Sequence, residues 1–194
     1  MREIEAPRTT EALAAALHKQ HGEVAGYFAS MDAKDFVTPQ GEYWSPEDHL
    51  RHLVICVRPL ARALAMPKLA LLLRFGPRLG KGGSGPSRSF EEVRDVYRGA
   101  LAAGGQAGSF TPRPRSEELS PEEARQDVLK RWKKATGDLE SAIVPWGEGS
   151  LDRLRLPHPL LGKLTVREML LWNLYHTHHH LSRVQERAAV ATPV

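Results

Sequence analysis

Four of the nine histidines, His176, His178, His179 and His180, fall within five consecutive residues. On a helix, at about 100° per residue, His176 and His180 lie about 40° apart and share a face. Met169, Trp172 and Val184 fall on or near that face, which marks it as inward. His178 projects almost oppositely, and His179 sits at the flank. Imidazoles at i and i+4 can converge on one divalent ion. A third donor is available upstream, where His49 and His52 are spaced i, i+3. His52 shares its stripe with Asp48, Cys56, Leu60 and Ala63, so His52 is the inward candidate and His49 the rim residue. Three neutral imidazoles with coordination positions left open describe a catalytic zinc site rather than a closed structural one. A plainer reading uses the same residues: core histidines bonded to carbonyls, or imidazoles that complement the negative end of a helix.

Other residues carry less. Cys56, one turn beyond His52, could supply a thiolate, but its apolar neighbours fit a packed small residue better. Asp48 could orient an imidazole or act as a base, although a first-turn acid usually complements the helix dipole. Trp44 and Trp172 are expected to wall the site. The run from Gly76 to Gly82 approaches a phosphate-binding loop, but its spacing is one residue short and no hydroxyl follows Lys81.

The elements that would position these residues are helices. Apolar Leu13, Ala16, Leu17, Val24 and Tyr27 predict a helix over 10–30, capped by Thr9 or Thr10. Ser45-Pro46-Glu47-Asp48 is a cap, a proline and two acids, and predicts a helix start. That helix should run to about Leu64, with Pro59 kinking or interrupting its ladder. A shorter helix follows from Ser89 or Phe90 to about Ala103. Ser120-Pro121-Glu122-Glu123 opens a long one to Ile143, and Thr165 with Glu168 opens the last in a capping box, to about Ala188. Glycines, prolines and serines crowd Gly76 to Ser89, which predicts a flexible surface loop, and 145–159 reads as a turn-rich link. No segment shows convincing strand alternation. The fold class is all-α: one domain over 1–194, a four-helix bundle with a short helix and loop 76–89 inserted between its second and third long helices.

Composition agrees with a globular interior built mostly from Leu and Ala, since aromatics are only 7% of the chain. One cysteine excludes an internal disulfide and suits a reducing cytoplasm. The first residues lack a secretion signal, and the apolar run Leu69 to Leu73 is too short to span a bilayer, so a membrane partner is not expected. The net charge of +4 is uneven: no acid lies between Asp48 and Glu91, while Arg51, Arg58, Arg62, Lys68, Arg74, Arg78, Lys81 and Arg88 do. Only Phe75 interrupts that basic run, so a base-stacking surface for nucleic acid is not supported.

Two motifs bring a resemblance. Trp44-Ser45-Pro46-Glu47-Asp48-His49-Leu50-Arg51-His52-Leu53 resembles the second-helix motif of the DinB/YfiT-like superfamily. His158-Pro159-Leu160-Leu161-Gly162-Lys163-Leu164-Thr165 is similar to the segment entering that family's last helix, and His176 to His180 resembles its His-x-x-His-His pattern. The resemblance implies a DinB-like four-helix bundle in which His52, His176 and His180 hold a divalent metal, zinc or nickel. It also implies a metal-dependent hydrolase or a transferase using a low-molecular-weight thiol, acting on a small molecule. The alternative is a non-catalytic, stress-related metal- or ligand-binding protein, with exposed bundle faces available for a homodimer. Residues 66–115 match no part of the family pattern.

Overall fold

The computed structural model describes residues 7, 9–39, 41–75, 86–115 and 118–191. Helix α1 spans Thr10–Ser30, α2 Ala33–Val37, α3 Pro46–Ala65, α4 Lys68–Phe75, α5 Phe90–Ala102, α6 Pro121–Ile143, α7 Glu148–Arg153 and α8 Val166–Ala191. A single 3₁₀ turn covers Gly108–Phe110, and strands β1 (Arg155–His158) and β2 (Gly162–Thr165) precede α8.

The helix starts follow from their caps. Thr9 accepts from the Ala12 N–H, and Ser45, Ser89 and Ser120 each close a full capping box with Asp48, Glu92 and Glu123. At the start of α8, Thr165 N–H donates to Glu168 (2.9 Å) while Glu168 N–H donates to the Thr165 hydroxyl (3.0 Å). Asp48 is therefore engaged at the head of α3, where its carboxylate accepts from Ser45 N–H and Oγ. It does not line the cavity described below.

Four long helices, α1, α3, α6 and α8, make the bundle. Leu13, Leu17, Val24 and Phe28 form the buried stripe of α1, and Leu50, Leu53, Val57, Leu60 and Leu64 that of α3. Val128, Trp132, Ala135, Leu139 and Ile143 face them from α6, with Leu170 and Leu174 from α8. These spacings of three, four and seven residues put one apolar face on each helix. The Trp132 indole N–H reaches the His21 carbonyl at 3.1 Å, and that of Trp146 the Leu64 carbonyl at 3.1 Å, so both buried donors are satisfied.

One expectation is corrected. The link before the last helix is not merely turns: α7 lies there, and β1 and β2 form an antiparallel hairpin pairing Leu156 with Leu164 and His158 with Gly162. Gly162, at φ 73°, takes the left-handed conformation that lets the loop close onto β2. Helix α3 continues through Pro59 to Ala65, close to the expected extent. The apolar run at Leu69 belongs to α4, which places Leu69 and Leu73 on the surface.

Most of the loop expected over 76–89, namely 76–85, lies outside the described residues. Its end is anchored. Arg88 donates to Glu168 from its backbone N–H (2.9 Å), Nε (2.9 Å) and Nη2 (3.2 Å). The adjacent Ser87 hydroxyl donates to Asp152 at 2.6 Å. Part of the basic interval is thus engaged internally, including Arg51 beside Glu47 at 3.7 Å. No helix among the described residues is long and apolar enough to cross a membrane.

Candidate metal centre

Helices α3 and α8 bring the imidazoles of His52, His176 and His180 together. His176 Nε2 lies 3.1 Å from His52 Nε2 and 3.1 Å from His180 Nε2. All three side chains are buried: His52 is 4%, His176 1% and His180 9% exposed. Two imidazoles on one tetrahedral zinc stand about 3.3 Å apart, given Zn–N distances of roughly 2.0–2.1 Å. Each of these two pairs, with His176 common to both, is spaced as two donors to one ion would be. The group whose donor atoms all lie within 4.8 Å of one another is His52, Cys56 and His176, without His180. The Cys56 sulfur is 3.6 Å from His52 Nε2. Burial pushes the Cys56 thiol up to about 12, so on its own it stays protonated.

Hydrogen bonds assign several protons. The Phe110 carbonyl accepts from His52 Nδ1 at 2.9 Å, which leaves the His52 Nε2 lone pair facing His176. Phe110 belongs to the 3₁₀ turn after α5, so a segment outside the family motifs orients one donor. His180 Nδ1 lies 2.8 Å from His49 Nδ1. A proton on His180 Nδ1 leaves its Nε2 lone pair toward His176, and His49 then carries its own proton on Nε2. His49 is thus not the expected rim residue. It is 6% exposed and packs behind His180. His178 stays apart, as its projection predicts, with its Nε2 3.4 Å from the Ser182 hydroxyl. His179 is half-buried at the cavity edge, near Tyr97.

Aromatic rings hold the cluster in place. The Trp172 indole stacks on His176 (4.6 Å between centroids, 20° between planes), and Trp44 lies parallel to His180 (6.1 Å, 13°). The imidazoles line a cavity of about 660 Å³ whose other walls include Leu101, Leu156, Leu160 and Met169. That volume suits a small organic molecule.

His158 was noted only within a resembling motif, yet its ring also lines the cavity, 4.4 Å from Trp172. Its Nδ1 accepts the backbone N–H groups of Leu160 (3.2 Å) and Leu161 (3.1 Å). The proton must then sit on Nε2, which is buried without a hydrogen-bond partner among the described residues. The sequence signal was the histidine at the mouth of a tight turn. Its pairing with Trp172 needed the hairpin.

Desolvation keeps these imidazoles neutral. It lowers His49 to about 4, helped by the charges of Arg187 and His52, and lowers His158 to about 4. It also drives His176 and His180 well below the ordinary histidine range. Neutral imidazole is the ligand form of histidine. A pH dependence follows. The unfolded chain binds protons on His49 and His158 from about pH 6.5 downward, whereas the folded chain does so only near pH 4. Their contribution is present above pH 6.5 and is lost as pH falls through the folded values. Each imidazole then removes on the order of 3 kcal/mol. Urea midpoints of metal-stripped protein should fall steeply between pH 6.5 and 4; a flat profile would show that the imidazoles protonate without unfolding the site.

Comparison with known proteins supplies the lineage. A family model described as the DinB superfamily matches residues 16–184, most of the chain and both histidine-bearing helices. The chain belongs to the DinB superfamily. The four-helix bundle is shared with a solved structure, TT2238, described as a four-helix bundle protein. At 18% identity and a TM-score of 0.54, it covers 92% of this chain and 99% of its own, and the likeness concerns the fold. No curated protein matches. Membership of the DinB superfamily extends across the segment 66–115 that carries no family motif, and this segment supplies Tyr97 and Phe110 to the cavity.

Proposed function

We propose that this DinB superfamily protein is a metal-dependent enzyme in which His52, His176 and His180 hold one divalent ion, zinc or nickel, for hydrolysis or thiol transfer on a small molecule. The observation that supports this most is His176 Nε2 lying 3.1 Å from both His52 Nε2 and His180 Nε2 on the wall of a mostly apolar cavity. When bound, such an ion supplies Lewis acidity that activates water or a thiol at neutral pH and polarises a carbonyl.

The chain's own residues account for the rest. The Phe110 carbonyl fixes the His52 proton on Nδ1, and His49 Nδ1 stands where it can accept one from His180 Nδ1. Trp172, Met169 and Leu160 exclude water from the reacting site. The neutral His158 ring packs against Trp172 on that wall. The sole carboxylate among the cavity-lining residues is Glu42, which is exposed. Proton transfer within the cavity therefore falls to imidazole or to the substrate itself.

Elemental analysis of protein purified without nickel resin tests the reading. Close to one equivalent of zinc or nickel per chain is expected, followed by turnover in an ester or thiol-cofactor screen. Protein that neither carries nor takes up a divalent ion would refute it.

Cys56 is expected to be dispensable. Its thiol is buried and held protonated, and the three imidazoles already form a donor set. Cys56→Ser should keep the metal stoichiometry and turn over within about two-fold of the parent, since a buried isostere changes little in volume. Retained metal with lost turnover would instead make the sulfur a participant.

A further inference from the structure

We infer that the cavity selects a substrate with an apolar body and an anionic group, and that Arg183 and Arg187, beyond the imidazoles on the same helix stripe, receive that group. This inference names a substrate class for the proposed site, and it takes the imidazole cluster as the reacting site.

The geometry starts from one helix. His176, His180, Arg183 and Arg187 occupy positions i, i+4, i+7 and i+11 of α8, a single stripe on its cavity side. At about 1.5 Å rise per residue, Arg183 stands roughly 4–5 Å and Arg187 roughly 10 Å beyond His180 along the axis. The helix thus places the two guanidinium-bearing positions about one and two turns beyond the imidazoles on the cavity side.

Charge supports the assignment. Arg183 and Arg187 are the only lysine or arginine side chains among the residues lining the cavity. Neither makes an ion pair with a carboxylate among the described residues, although most other arginines close to an acid do. Glu42 shares the same cavity, yet Arg187 lies over the Tyr43 ring at 3.8 Å instead of pairing with it. A guanidinium stacked on an aromatic face keeps its in-plane N–H donors directed outward, the arrangement that receives a carboxylate or phosphate oxygen pair. Arg187 is half-buried and Arg183 exposed, so the pair lies at the open side of the cavity.

Calorimetric titration with octanoate and 1-octanol tests this, because the two probes share a body and differ in charge. Wild-type protein should bind octanoate about ten-fold tighter, the scale of charge-assisted hydrogen bonds at a partly exposed site. An Arg183→Gln/Arg187→Gln protein should bind octanoate no better than octanol, with octanol affinity and metal content unchanged. Equal affinities in the wild type, or no octanoate binding, would overturn the inference without needing any variant to fold. Metal-stripped protein separates the two readings. A preference that survives the arginine substitutions but vanishes with the ion would place the anion on the metal, overturning the arginine assignment while sparing the metal site. An arginine-dependent preference in a protein that never holds a metal would sustain the anion site and refute the proposed centre.

Discussion

His176→Ala should strip most of the divalent ion and abolish turnover, a larger effect than any other single substitution in the cavity. The reason is geometric. His176 Nε2 is the hub of the cluster, 3.1 Å from a nitrogen of each of the other two imidazoles, and the ring is fixed by the Trp172 face. His52→Ala and His180→Ala should also lose most of the ion, each removing one of three donors. His178→Ala should leave it in place, because His178 faces Ser182 and does not line the cavity. His49→Ala is expected to fall between them: His180 keeps its Nε2 but loses the hydrogen-bond partner of its Nδ1. Since the ion binds the folded chain preferentially, its loss also lowers stability. At a free ion concentration 100-fold above the dissociation constant the linkage amounts to about 2.7 kcal/mol. Metal analysis and melting curves across the five variants decide the matter. A His178→Ala protein without metal beside a His176→Ala protein that retains it would place the donors on the wrong helix face. Full metal content in all five would leave the histidines as packing residues.

How much of this could be read from residues alone depends on the range of the interaction. Helix starts are local: Ser45, Ser120 and Thr165 each carry their capping partner three residues on, and α3, α6 and α8 begin where these signatures sit. The separation of His176 and His180 from His178 is also local, since it follows from helical projection. Burial of His49 was not legible. At i, i+3 from His52 it looked like a rim residue, and only the approach of α8 covers it. The hairpin escaped because its strands are four residues each, one of them containing Pro157, which leaves too little alternation to register. Helix α2 has its own cap at Asp32, but five residues give no period to read. The Phe110 carbonyl behind His52 is set by tertiary contact with a Gly- and Pro-containing connector, and such a contact leaves no periodic trace.

The flexible loop expected to end at Ser89 gives the second large effect, because its last residues are tied to the core. Glu168→Ala is expected to destabilise the protein by about 3 kcal/mol, the low end for breaking a buried ion pair, since Arg88 is only partly covered. Glu168 is 2% exposed and accepts from Arg88 N–H, Nε and Nη2 and from the Thr165 N–H that caps α8. Desolvation pushes its carboxyl upward, but these donors prevail and hold it below the usual carboxylate range. Alanine would leave the guanidinium without its carboxylate and the first turn of α8 without its reciprocal bond. The damage should also reach the cavity. Arg88 precedes the Ser89 cap of α5, and α5 carries Tyr97, whose ring meets those of Trp172 (6.1 Å) and His176 (5.8 Å). Glu168→Gln, which keeps an acceptor but not the charge, should lose roughly half as much, as neutral hydrogen bonds are about half as strong as charge-assisted ones. Denaturant midpoints measured with metal removed isolate this contribution from the linkage above. A Glu168→Ala protein within about 0.5 kcal/mol of the parent, the range of an ordinary surface change, would show that α5 is held by its apolar contacts and not by this carboxylate.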